Sequence, residues 1–170
     1  MPQIINTFKE HLPPVRLIGK RYTAADQIEG GYGHLWGEWF QNDWFGTLEA
    51  LGEAPNTENG YLGFMRCGPN PEYWIGMFLP PETPVPEGFT FLDIPAGDVG
   101  VCWIKGAEHD SGIYHMHDQC VAALTENGMG DFKKDDTGRA FFFERYNCPR
   151  FTTPDEDGNI ILDYGIYLAQ

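Results

Sequence analysis

AFFFERYNCPRF, Ala140 to Phe151, sets three phenylalanines against a lone carboxylate, Glu144, with a tyrosine two positions further on. Period-two alternation makes this a strand with Phe142, Glu144 and Tyr146 on one face and Phe141, Phe143 and Arg145 on the other. A carboxylate among aromatics is costly to bury unless a positive or hydrogen-bonding group meets it. Phe141 and Phe143 are expected to pack on helices and hold Glu144 in place.

Outward from this strand, TPDEDGN is a turn and Ile160 to Leu168 the last strand. Upstream, Asp131 to Arg139 reads as a solvated loop, and Gly112 to Gly128 as an amphipathic helix with Ile113, Met116, His117, Cys120, Val121 and Leu124 on its apolar stripe. Phe89–Gly97 and Asp98–Gly106 read as strand, turn and strand. PPETPVPEG, with four prolines in nine residues, suits a stiff extended crossover. Tyr61–Cys67 and Glu72–Leu79, joined by the turn GPNP, form a hairpin. LWGEWFQNDWFGTLEALG is a helix, kinked near Gly46 and ended by Gly52, preceded by a strand over Val15 to Thr23 and a short leader.

The order strand, helix, loop, hairpin occurs twice, over roughly residues 12–80 and 89–169. Ile75 to Leu79 aligns with Tyr164 to Leu168, and Phe64-Met65-Arg66 with Phe143-Glu144-Arg145. Duplicated βαββ units in one α+β domain spanning 1–170 account for this. Met65 becomes the counterpart of Glu144, a thioether matched to a charge across a cleft.

Apolar residues make up 42% of the chain and aromatics 15%; 11 Lys plus Arg face 25 Asp plus Glu, a formal charge of −14. Phosphate contacts need clustered cations that this chain lacks, which argues against direct nucleic-acid binding. Cys67, Cys102, Cys120 and Cys148 have no CxxC spacing and read as reduced thiols of a cytoplasmic protein. No signal-peptide pattern and no membrane-length apolar run is present.

LPPVRLIGKRYT, VPEGFTFLDIPAGDVGVCWIKG, FFFERY and DEDGNIILDYGIYL, in this order and spacing, resemble the GyrI-like small-molecule-binding superfamily, which includes the effector-binding domains of AraC- and MerR-type multidrug regulators. The resemblance covers most of the chain and implies two βαββ units with a ligand pocket between them. Regulators of this kind bind lipophilic cations with a buried Glu, matched here by Glu144, among aromatics. Other members hydrolyse strained cyclopropane compounds with a Glu and nearby Tyr and Trp, and some inhibit enzymes by binding them. The chain shows no helix-turn-helix, so the resemblance implies a stand-alone ligand-binding protein, with a homodimer or a regulatory protein partner as further options.

The expected site is therefore Glu144 as anchor, with Tyr146, Phe142, Trp74, Trp103, Met65, Trp36 and Trp39 as candidate walls. The preferred function is binding of a lipophilic cation without a cofactor. The alternatives are a hydrolase in which Glu144 and Tyr146 are catalytic, and a protein-interaction module. Plainer readings stand beside these: Glu144 paired with a nearby Arg or Lys, and the tryptophans in the core. His109, His115 and His117 invite a metal, but His115 and His117 two apart on a helix diverge, and His117 reads as a satisfied core or interface histidine. Ser111, the sole serine, has no nucleophile-elbow context, and Cys102 and Cys120 read as packed thiols.

Overall fold

A computed structural model describes residues 1–55 and 57–170. Eight strands form one sheet: β1 (Gln3–Leu12), β2 (Val15–Tyr22), β3 (Tyr61–Cys67), β4 (Glu72–Leu79), β5 (Thr90–Ile94), β6 (Gly97–Ala107), β7 (Ala140–Tyr146) and β8 (Asn159–Tyr167). Their spatial order is β1-β6-β8-β7-β3-β4-β2-β5, with every ladder antiparallel. The helices are α1 (Gly33–Gln41), α2 (Trp44–Glu49) and α3 (His117–Glu126). Among the described residues no helix is long and apolar enough to cross a membrane.

The expected leader is a ten-residue strand, β1. Phe8, Glu10 and Leu12 alternate inward along it, and Glu10 in the middle interrupts the apolar phase that would have announced a strand. The first helix breaks at Asp43, which takes a left-handed φ of 50°, rather than at Gly46. The second is split into a 3-10 turn, Ser111–Tyr114, and α3. The Asp110 side chain accepts from the Gly112 amide at 2.9 Å and so caps that turn. The segment before β7 is anchored rather than fully solvated: Asp135 accepts from Arg66 at 2.6 Å, and Arg139, itself buried, donates to Glu72 at 2.9 Å.

Both faces of the sheet are buried, by different partners. On one face Leu35, Trp39, Phe45 and Leu48 of α1 and α2 cover Ile18, Ile75, Met77 and Leu79 of β2 and β4. On the same side Cys120 and Leu124 of α3 cover Cys102, Ile104, Leu162 and Ile166 of β6 and β8. The opposite face closes on itself: Leu12, Val15, Leu17, Phe64, Phe78, Val101, Phe143 and Tyr167 pack together with no helix residue among them. Phe141 and Phe143 belong to this helix-free core, so the expectation that they pack on helices is corrected. The central pair β3 and β7 lies between the two helical layers.

Candidate ligand cavity

Glu144 sits in mid-strand on β7, with Gly63 of β3 and Tyr164 of β8 as its direct cross-strand partners. The next residue, Arg145, points to the other face and is fully buried. Its guanidinium donates to Asp163 at 2.9 Å and to Glu10 at 2.7 and 3.1 Å, tying β7 to β8 and β1. Charge-assisted bonds of this kind anchor the backbone that presents Glu144.

Glu144 opens into a cavity of about 560 Å³ lined by Gly31, Tyr32, Gly33, Trp36, Phe40, Tyr73, Tyr114, Glu144, Tyr146, Phe151 and Thr152. Among the described residues the lining contains one carboxylate, four tyrosines and no lysine or arginine. Glu144 is 9% exposed, and the hydroxyl of Tyr146 donates to its Oε2. Among the described residues no Lys or Arg pairs with it. Burial pushes the Glu144 carboxyl up to about 7, against the opposing pull of the Tyr146 hydrogen bond. The phenols of Tyr73, Tyr114, Tyr146 and Tyr164 are all raised, by burial first and then by the nearby Glu144 charge.

The walls are held as firmly as the floor. Trp36 on α1 donates its indole N–H to the Tyr73 hydroxyl at 3.0 Å and meets the Tyr146 ring edge-on at 4.9 Å. Tyr32 stacks on Tyr73 with centroids 4.2 Å apart and planes 5° apart. Phe151 meets Tyr146 at 4.7 Å. The loop carrying Phe151 and Thr152 is fixed by Arg150, which donates to Asp163 and to Glu58, each at 2.8 Å. The site thus offers a desolvated, ionisable carboxylate inside an aromatic box.

Of the candidate residues, Glu144, Tyr146 and Trp36 line the cavity. Phe142 and Met65 share the Glu144 face but lie beside the cavity, where Phe142 packs on the His117 ring at 4.8 Å. Met65 pairs directly with Phe142 on the adjacent strand, so it stands along the same face as Glu144 rather than across a cleft from it. Trp39 is fully buried in the helical core, donating to Tyr22 at 3.1 Å.

Trp74 and Trp103 lie on the wrong face. Trp74 is registered with Phe64, which is registered with Phe143. Trp103 pairs with Asp163, which pairs with Arg145. Both indoles therefore share the face turned away from Glu144. The cavity residue on β4 is Tyr73, one position before Trp74, and alternation together with Met65↔Tyr73 pairing would have selected it. Tyr32, Phe40, Tyr114, Phe151 and Thr152 come from turns and a helix face that no strand periodicity points to. His117 shares a 2.6 Å hydrogen bond with Tyr164, which makes it the satisfied histidine expected from its position.

No protein-family model matches the chain, and no curated protein matches it in sequence. Solved structures do share its fold. A Staphylococcus aureus MU50 protein assigned to bacterial transcription regulation is 12% identical, with a TM-score of 0.67 over 97% of this chain and 99% of that one. SAV2435, solved with tetraphenylphosphonium bound, is also 12% identical, with a TM-score of 0.69 over 97% of this chain and 94% of that one. EcmrR, solved in a DNA complex, is 11% identical with a TM-score of 0.57, and this chain spans 58% of its length. The chain thus shares its fold with a protein of bacterial transcription regulation and with a protein solved holding tetraphenylphosphonium.

Proposed function

We propose that this chain is a GyrI-like ligand-binding protein that holds a lipophilic cation in the aromatic cavity, with Glu144 as the anchoring charge. The observation that carries the reading is Glu144 itself: a buried carboxylate with a hydroxyl donor and no basic partner among the described residues. A cation would supply the missing countercharge, and each ring face it meets adds about 0.5–2 kcal/mol. The tetraphenylphosphonium held by a protein of the same fold supports the ligand class. Duplication fits the same reading. Phe64 is registered directly against Phe143, and the strand order reads alike from both ends if β1 matches β5 and β2 matches β6. The repeat would then start at Gln3, with each leading strand exchanged onto the other half.

Calorimetry with tetraphenylphosphonium tests the proposal. A permanent cation binds the ionised carboxylate, so with Glu144 titrating near 7 the affinity is expected to fall about tenfold from pH 8 to pH 6. Glu144→Gln should weaken binding at least tenfold and abolish the pH dependence. Equal affinity in native and variant protein would sink the proposal.

A second reading rests on the same raised carboxyl. A group poised near neutrality and hydrogen-bonded to a tyrosine suits general acid–base work on a strained or activated small molecule. Turnover that disappears in Glu144→Gln separates hydrolysis from reversible, stoichiometric binding.

A further inference from the structure

We infer that the cavity's ligand carries a neutral hydrogen-bond acceptor in addition to its cationic centre, and that the Tyr73 hydroxyl donates to that acceptor. The inference rests on the Glu144 reading above and narrows the ligand class from any lipophilic cation to one bearing a carbonyl, ether or ring nitrogen.

The Trp36 indole N–H, which can only donate, meets the Tyr73 oxygen at 3.0 Å. Tyr73 therefore accepts there, and its own proton must be directed elsewhere. Among the described residues no carboxylate, carbonyl or hydroxyl accepts it. The hydroxyl lies over the bare backbone of Gly63, where an added Cβ would stand only 2.6 Å from the phenol oxygen. Gly63 is the direct cross-strand partner of Glu144, so the Tyr73 phenol from β4 and the Glu144 carboxylate from β7 lie on the same face on either side of β3. The Tyr32 ring stacked at 4.2 Å steadies the phenol.

A donor so placed is met by water while the cavity is open. A ligand that expels the water either replaces the acceptor or leaves the donor unpaired. The Tyr146 hydroxyl is already committed to Glu144, whereas Tyr73, fixed by Trp36 and by the stacked Tyr32 ring, keeps a proton to give beside the anchor. Recognition thus has two points: charge at Glu144 and a neutral acceptor at Tyr73.

Two permanent cations of nearly equal shape test this on the full chain: (4-acetylphenyl)triphenylphosphonium and (4-isopropylphenyl)triphenylphosphonium. The ratio of their affinities, acetyl over isopropyl, is expected to be about tenfold lower in Tyr73→Phe than in the native protein. An unchanged ratio overturns the inference and leaves the Glu144 anchor standing. Undiminished binding of both cations to Glu144→Gln overturns the anchor instead. Should Tyr73→Phe not fold, the infrared carbonyl stretch of the acetyl cation bound to native protein decides. A shift below its hydrocarbon-solvent position supports the donor, and no shift overturns it.

Discussion

Replacing Glu144 with Gln is expected to stabilise the ligand-free protein in alkaline solution, although the same change removes its proposed anchor. Burial raises this carboxyl from an ordinary 4.5 to about 7. Between those values the folded chain keeps a proton that the unfolded chain has lost. The stability held with Glu144 protonated is complete below pH 4.5 and is lost as pH rises through 7. At about 1.36 kcal/mol per unit, ionising Glu144 in place costs the fold about 3 kcal/mol, of which roughly 2.5 kcal/mol develops between pH 5 and pH 8. Gln keeps the shape and a carbonyl oxygen that accepts from Tyr146, but it never ionises. Urea unfolding of both proteins at pH 5, 6, 7 and 8 isolates the effect, because groups common to both chains cancel in the difference. The variant should gain less than about 1 kcal/mol at pH 5 and about 3 kcal/mol at pH 8. A difference that stays flat with pH, or a variant less stable at pH 8, refutes the reasoning.

Gly63→Ala would place a Cβ 2.6 Å from the Tyr73 hydroxyl and 3.5 Å from Trp36, so the cavity floor should shift. Tetraphenylphosphonium affinity by calorimetry is expected to drop at least tenfold, with about 1–3 kcal/mol of stability lost. Arg145→Met removes a fully buried guanidinium and leaves Asp163, among the described residues, with only Arg150 and Asn147 as partners. Urea unfolding should register a loss of about 3–5 kcal/mol. Gly165→Ala drives a methyl to within 2.4 Å of the Phe143 ring in the helix-free core. It should cost about 1–3 kcal/mol while leaving cation affinity unchanged, because the clash lies on the face away from Glu144.

Much of the site's central strand was legible. Alternation correctly grouped Phe142, Glu144 and Tyr146 on one face, because Cβ direction along a strand is set by the backbone alone. The helical apolar stripe placed Trp36 and Trp39 on one helix, but it did not say which would meet the sheet and which the cavity. Only packing separates them: Trp39 is sealed under Phe45, and Trp36 lies at the open edge. The candidate wall at Trp74 lies one residue out of phase with Tyr73, and one residue along a strand reverses the face.

By itself the sequence determined the local periods: which residues alternate, where turns fall, and that a lone carboxylate lies among aromatics in a chain of charge −14. It could not determine what each face of the strand meets. Both faces of this sheet are apolar, one covered by helices and the other by the sheet itself, so hydrophobicity marks burial without saying under what. The tertiary structure decided that Glu144 faces the gap between the helical layers while Arg145, its neighbour, enters an ionic network on the far side. It also brought Tyr32 and Tyr114 to the carboxylate from distant turns, since proximity across a fold depends on strand order and register rather than on spacing along the chain.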